Sequence, residues 1–364
     1  MISEIKQGNG HIDVMSWMIR VTLECIGQGG LEHSFSSLEA DNGGNIYEDA
    51  IKRMLPLSFR AYILRDLIFP MHKLGITKFW GALVHILPFR LPKEIQGTVD
   101  AVGDASIREL KKKKATFEKG GNETEDLGKD IINILLKENL RARITEDEVV
   151  GHTNSFLVAA VDTTSNALSR MFWVLAENPD VQSKLRDEIV TTRKERGNFD
   201  YDTLQALPYL DAVCRETLRV YPPVSSVIRE ALKDTVIPLQ FPIRSRDGSS
   251  EIDEVFVPKG TEIYISILAA NRSKRIWGED AEEWKPSRWL EALPKSISDA
   301  HVPGVYSPMM TFAGGGRSCI GFKFSEMEMK LVLAVLVETF IFEPGVGGRY
   351  IINHDISSAT YPQN

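Results

Sequence analysis

A run of ten residues toward the C-terminal end constrains this chain more than any other: Phe312-Ala313-Gly314-Gly315-Gly316-Arg317-Ser318-Cys319-Ile320-Gly321. A cysteine stands on a glycine-rich turn, with an arginine two residues before it, a glycine two after it, and then a long helical pattern. A metal needs its thiolate exposed and aimed, and glycines let backbone N–H groups approach the sulfur closely. A helix beginning after Gly321 brings its positive end near the sulfur, which favours thiolate over thiol. Arg317 is always charged and can reach a carboxylate on a bound ligand. Taken by itself, the feature also fits a buried structural cysteine after a glycine turn.

The rest of the composition narrows the class. With 364 residues the chain has length for two or three domains or one large helical one, and it can bury a sizeable core. Its apolar and charged fractions are those of an ordinary globular protein. A net charge of −7 and the lack of a basic stripe interleaved with aromatics argue against a nucleic-acid partner. The three cysteines, Cys25, Cys214 and Cys319, are far apart and odd in number, which argues against a disulfide framework or a zinc site and for a reducing compartment. No apolar run reaches the ~18 residues a membrane span needs, and the polar first nine residues do not read as a signal peptide.

In chain order, residues 11–27 read as an amphipathic helix on Ile12, Met15, Ile19, Leu23 and Ile26, ended by Gly29-Gly30. Residues 41–45 are a loop. The apolar stretch 51–90, cut by prolines 56, 70 and 88 into short helices, fits a substrate-side or membrane-touching flap or a plain core helix pair. Residues 92–118 are helical with a solvated lysine run at 111–114, and 119–128 form a polar link. Thr145-Glu146-Asp147-Glu148 is a capping box, and the helix it starts runs to Asn178-Pro179, roughly 50 Å. Midway stand Ala159, Ala160, Val161, Asp162, Thr163 and Thr164; an acid and hydroxyls there can divert a backbone bond, so a kink or bulge is expected.

Further helices cover 180–196 and 208–221. The second carries Glu216 and Arg219, three apart and so on one face, where a surface ion pair is the plain reading. Alternating stretches at 236–243, 252–257 and 261–267 predict a small sheet, with 244–251 as a hairpin insertion. Residues 322–340 predict a helix with Met327, Leu331, Ala334 and Leu336 on its apolar side, followed by a β-rich tail over 342–363. The class is mainly α with small β-sheets.

Four stretches in this order, Ala159 to Thr164, Glu216 to Arg219, Pro286-Ser287-Arg288-Trp289 and Phe312 to Gly321, resemble the motifs of the cytochrome P-450 superfamily, closest to fungal microsomal members. The loop fits F-x-x-G-x-R-x-C-x-G at every fixed position, and the likeness covers nearly the whole chain. The resemblance implies a single cytochrome P-450 domain over 1–364 and a heme b cofactor (iron protoporphyrin IX), with Cys319 as the axial iron ligand. It implies that Phe312, Gly315 and Gly321 shape the loop and that Arg317 and Arg229 fix the propionates. Ala160 stands beside the haem face where the family usually has glycine, Thr163 on the oxygen and Asp162 in proton delivery. Glu216, Arg219 and Arg288 form a buried structural triad, and Val224, Ser225 and Ser226 line the substrate pocket. The partners so implied are O2, a small lipophilic substrate and an NADPH-dependent flavoprotein reductase docking on the cysteine side, where Lys323 is a candidate contact.

The resemblance also has gaps. Such relatives carry a further N-terminal part with a membrane anchor and a W-x-x-x-R helix; Trp17 and Arg20 have the wrong spacing for it, and the tail after Cys319 is short. The expectation is an N-terminally truncated chain without an anchor, from a protein otherwise on the cytosolic face of the endoplasmic reticulum membrane. The leading function is a haem-thiolate monooxygenase. The alternatives are a haem-thiolate isomerase or dehydratase, and a truncated, catalytically impaired pseudoenzyme.

Overall fold

Thr145 and Glu148 close on each other as the sequence suggests: the Thr145 N–H donates to Glu148 Oε2 at 2.7 Å and the Glu148 N–H to Thr145 Oγ1 at 3.2 Å. Such a cap stabilises a helix start by about 1 kcal/mol. In the computed structural model, which describes residues 12–38, 93, 94, 97, 130–306 and 308–344, this cap opens the longest helix. The loop at 41–45, the stretch 51–90, the link 119–128 and the tail beyond 344 lie outside the described residues. So does most of the helix expected over 92–118, of which 93, 94 and 97 are helical.

The chain divides into two compact units, Ser16–Ser165 and Met1–Met15 with Asn166–Asn364. The first contains most of α1 (Val14–Leu31), α2 (Ile131–Leu140) and the N-terminal part of α3 (Glu146–Glu177). Helix α1 runs on through Gly29-Gly30 rather than ending there. A Cβ on Gly30 would come within 2.9 Å of Ile26 Cδ1 and 3.4 Å of Ile131 Cδ1, and one on Gly27 within 2.6 Å of the His33 carbonyl. These glycines serve close packing, not termination. Arg20 lies over its own neighbour, 4.4 Å from the centre of the Trp17 ring, and donates to the Ser37 carbonyl.

No bulge interrupts α3, contrary to the expectation; it is α-helical over 32 residues. The Thr163 hydroxyl donates to the Ala159 carbonyl at 2.8 Å and that of Thr153 to Val149 at 2.8 Å. These bonds use a second lone pair of the i−4 carbonyl and leave the backbone ladder in place.

The second unit continues with α4 (Pro179–Arg196), α5 (Tyr201–Gln205) and α6 (Pro208–Val220). Strands β1 (Ser226–Glu230), β2 (Thr235–Arg244), β3 (Glu251–Val257) and β4 (Glu262–Ser266) follow. Then come α7 (Ile267–Asn271), α8 (Lys274–Trp277), a 3-10 turn at Pro286–Leu290 and α9 (Lys295–Asp299). Strands β5 (Gly304–Tyr306) and β6 (Met309–Gly314), a 3-10 turn at Gly315–Arg317 and α10 (Phe322–Thr339) complete it.

Helices α4 and α6 both start with proline, whose missing N–H costs nothing at a helix start. The N–H groups of Tyr209 and Leu210, in the first turn of α6, donate to the Glu188 carboxylate at 2.9 Å each. The strands do not form one small sheet as expected. Among the described residues they make three antiparallel pairs, β1–β4, β2–β3 and β5–β6. The reason is that 261–267 pairs back to Ser226–Glu230, a strand the alternation rule missed, and not to the β2–β3 hairpin.

Helix α10 packs on α4, α5 and α6. Its buried face carries Met329, Val332, Leu333, Ala334 and Val337, whereas Met327, Leu331 and Leu336 are half-buried, a shift from the apolar side read from the sequence. Residues 341–344 have no regular structure, so the tail does not begin as a strand; Phe342 instead exchanges two hydrogen bonds with Gln182, at 2.8 and 2.9 Å. Among the described residues no helix is long and apolar enough to cross a membrane.

Candidate haem-thiolate site

The site is built on α6. Residues 216 and 219 share a face, and that face is turned inward: Glu216 and Arg219 are both 0% exposed. The surface ion pair of the plain reading is therefore a buried one. All five guanidinium N–H groups of Arg219 are used. Nε and Nη2 clasp Glu216 Oε2 and Oε1 at 2.9 and 2.8 Å, and the remaining N–H groups donate to the carbonyls of Asn271, Ala281 and Glu283. Glu216 is equally saturated. Besides Arg219 it accepts the Lys285 N–H and Trp289 Nε1 at 2.9 Å each and Arg288 Nε at 3.4 Å.

Arg288 thus joins the pair, but its shorter ion pair is with Asp280, at 2.9 Å. Burial alone would lower the Arg288 pKa; the bond to Asp280 and the charges of Glu216 and Asp280 outweigh that and raise it. Asp280 was not singled out from the sequence for any role, since it has no periodic partner. Asn271 links the charged system to the cysteine loop. Its backbone carbonyl takes Arg219 at 2.8 Å, its side-chain oxygen takes the Met310 N–H at 2.9 Å, and its amide donates to Thr311 Oγ1 at 2.9 Å.

Met310 and Thr311 belong to β6, which delivers the loop. The hairpin β5–β6 closes on two facing glycines. A Cβ on Gly304 would lie 1.7 Å from the Met309 carbonyl oxygen, and one on Gly314 would lie 1.9 Å from that of Pro303. Gly315 follows at φ +70°, a conformation that other residues adopt only with strain. Ala313 is itself at φ +55°. The chain then turns so that the Cys319 N–H donates to the Phe312 carbonyl at 2.9 Å.

Cys319 is exposed. Partial burial of the sulfur by the surrounding chain pushes the thiol pKa up, and the nearby Gly321 N–H acts the other way without outweighing it. Gly315, Gly316 and Gly321 would each meet nothing within 4 Å if given a Cβ, so this face of the loop is open and bare of side chains. An exposed, soft sulfur donor beside glycines with open space at their Cβ positions fits a flat macrocycle carrying a thiolate-philic iron.

The other residues named from the sequence are placed as follows. Phe312 is half-buried, in edge contact with Tyr306 at 5.5 Å and near Phe322 at 6.1 Å. Arg317 is exposed on its 3-10 turn. Arg229 is on β1, opposite Ile263, and donates to the Ile228 carbonyl at 2.8 Å. Val224, Ser225 and Ser226 are half-buried; the Ser225 carbonyl accepts the Leu268 N–H at 3.0 Å and Ser226 starts β1. Ala160, Asp162 and Thr163 belong to the other unit, where Asp162 is 4% exposed.

The family model for cytochrome P-450 matches residues 1–362. The chain belongs to the cytochrome P-450 family. Proteins of this family bind haem b through a cysteine thiolate. Cytochrome P-450 monooxygenase 91 of Postia placenta is 46% identical over 347 residues, covering 93% of this chain and 64% of the relative. Ganoderic acid synthetase CYP5150L8 of Ganoderma lucidum is 42% identical over 347 residues, covering 92% and 63%. A crystal structure of a cytochrome P-450, CYP102L1, shares the fold at a TM-score of 0.64 and 23% identity, over 94% of this chain and 65% of that one. This P-450 chain thus spans just under two thirds of the relatives it matches.

Proposed function

We propose that the chain acts as one haem-thiolate monooxygenase domain on a small lipophilic substrate, taking electrons from an NADPH-dependent flavoprotein reductase. One observation carries this reading: the exposed Cys319, its amide pinned to Phe312, stands on a glycine-rich turn backed by the saturated Glu216–Arg219–Arg288 system. When bound, haem supplies O2 activation: one oxygen atom enters a substrate C–H bond, the other leaves as water, and NADPH provides the electron pair.

The chain's own residues do the rest. Cys319 would hold the iron. Arg317 and Arg229 hold the propionate carboxylates, and Phe312 keeps water from the sulfur. The Thr163 hydroxyl, whose proton rests on the Ala159 carbonyl, can accept a bond at its oxygen and pass its proton on, with Asp162 resupplying it. The sequence motif supports that role. Val224, Ser225 and Ser226 line the substrate side.

The monooxygenase relatives support the reaction type, and the relative named for ganoderic acid supports a substrate from biosynthetic metabolism. Family resemblance supports the cytosolic face of the endoplasmic reticulum membrane. The test is turnover of the haem-loaded protein with reductase under heavy-isotope dioxygen. One labelled oxygen in the product, with NADPH consumed, is expected. Product formed without NADPH would instead mark an isomerase or dehydratase.

A further inference from the structure

Arg215 stands where two buried systems meet. Its guanidinium lies 4.3 Å from the centre of the Tyr306 ring and 5.5 Å from that of Trp289, the residue that donates to Glu216. Its Nε donates to Asp211 Oδ2 at 2.7 Å. The other Asp211 oxygen takes Lys330 Nζ at 2.8 Å. Lys330 is 0% exposed and has three acceptors, Asp211, Glu326 at 3.1 Å and Gln205 at 2.9 Å, matching its three N–H groups.

The two ends of this series matter. Lys330 is on α10, the helix that leaves the cysteine loop, and Tyr306 is on the hairpin that enters it. Tyr306 meets Phe312 edge-on at 5.5 Å, and the Phe312 carbonyl receives the Cys319 N–H. The Glu216–Arg219 system reaches β6 at Met310 and Thr311; the second series, which borders it at Trp289, reaches the loop by a different route, through Tyr306 on one flank and Lys330 on the other.

We propose that Asp211 and Arg215 are positioning residues for Cys319, joining Lys330 to Tyr306 so that the strand before the cysteine and the helix after it are held in one register. The value of this for the iron rests on Cys319 being its ligand; the holding of the loop does not. A planar cation is needed at 215 because it must bond a carboxylate in its plane while stacking on a ring with its face.

The test compares Arg215→Gln, Arg215→Lys and Asp211→Asn with Arg193→Gln. Arg193 also ties α10 to its neighbours, through Glu338 at 3.1 Å, but touches no part of the series. In the haem-free protein, amide exchange of the 309–321 segment should quicken about tenfold in Arg215→Gln and Asp211→Asn relative to other segments. It should quicken less in Arg215→Lys and not at all in Arg193→Gln. In the haem-loaded protein the fraction of thiolate-type carbon monoxide complex should fall in the same order. Tyr306→Leu, which cuts the series at its loop end, serves if Arg215→Gln does not fold. Exchange at 309–321 that is unchanged, or that rises only in step with the whole protein, overturns the proposal. Selective exchange together with a wild type that forms no thiolate complex would instead overturn the ligand reading and leave the positioning intact.

Discussion

Glu216 and Arg219 form a two-pronged pair with neither residue exposed, Oε1 to Nη2 at 2.8 Å and Oε2 to Nε at 2.9 Å. Taking two charges out of water is costly, and the pair survives because every donor and acceptor around it is used. Arg219→Ala would leave Glu216 facing only Arg288 and two neutral donors, the Lys285 N–H and Trp289 Nε1. We expect a loss of about 3–5 kcal/mol, measured by urea unfolding. A loss below ~1 kcal/mol, the size of a surface pair, would contradict the geometry.

The three consecutive glycines of the loop have different reasons to be glycine. Gly314 faces the Pro303 carbonyl with no room for a Cβ, Gly315 needs a positive φ, and Gly316 needs neither. Gly316→Ala should therefore change stability by no more than ~0.5 kcal/mol. Gly314→Ala should part the β5–β6 hairpin and cost several times that, about 2 kcal/mol or more. Equal effects at the two positions in thermal unfolding would argue against this account.

Asp211 and Lys330 set opposite limbs of a stability–pH profile. Burial acts to raise the Asp211 pKa, but the bond from Lys330 and the charges of Arg215 and Lys330 outweigh it, holding the pKa below its ordinary 3.8. Its contribution is present above about pH 4 and is lost as pH falls through the lowered value. Burial likewise acts to lower the Lys330 pKa, and the bond and charge of Asp211 raise it above its ordinary 10.5. That contribution is present below about pH 10 and is lost as pH rises through the raised value. Asp211→Asn should cost about 1–3 kcal/mol at neutral pH and flatten the acid limb of the urea-midpoint profile. An acid limb of unchanged slope would count against the pairing.

The cysteines should separate by reactivity. Cys214 is fully buried and burial pushes its pKa up to about 12, whereas Cys319 is exposed. Iodoacetamide should modify Cys319 in the folded, haem-free protein and Cys214 only on unfolding, as read by peptide mass spectrometry. Modification of Cys214 first would contradict the packing around α6.

Much of this was legible in the sequence, for physical reasons. The capping box, the helices opened by Pro179 and Pro208, and the i,i+3 placement of Glu216 and Arg219 are local features, and local spacing dictates them. The loop was legible because a cysteine among glycines is rare and its pattern long. Asp280 and Tyr306 were not, because their partners are distant in sequence and no periodicity marks them. Asp211 with Arg215 and Glu326 with Lys330 did carry an i,i+4 signal. Spacing alone does not tell a buried pair from a solvated one, because burial, which gives these pairs their role, is decided by packing.

The central claim, that Cys319 is the iron's ligand, is tested most directly by the carbon monoxide difference spectrum of the haem-loaded, dithionite-reduced protein beside Cys319→Ala. The account requires a red-shifted, thiolate-type Soret band in the wild type and its loss in the variant. A thiolate-type band that survives in Cys319→Ala, or an imidazole-type band in the wild type, would contradict it.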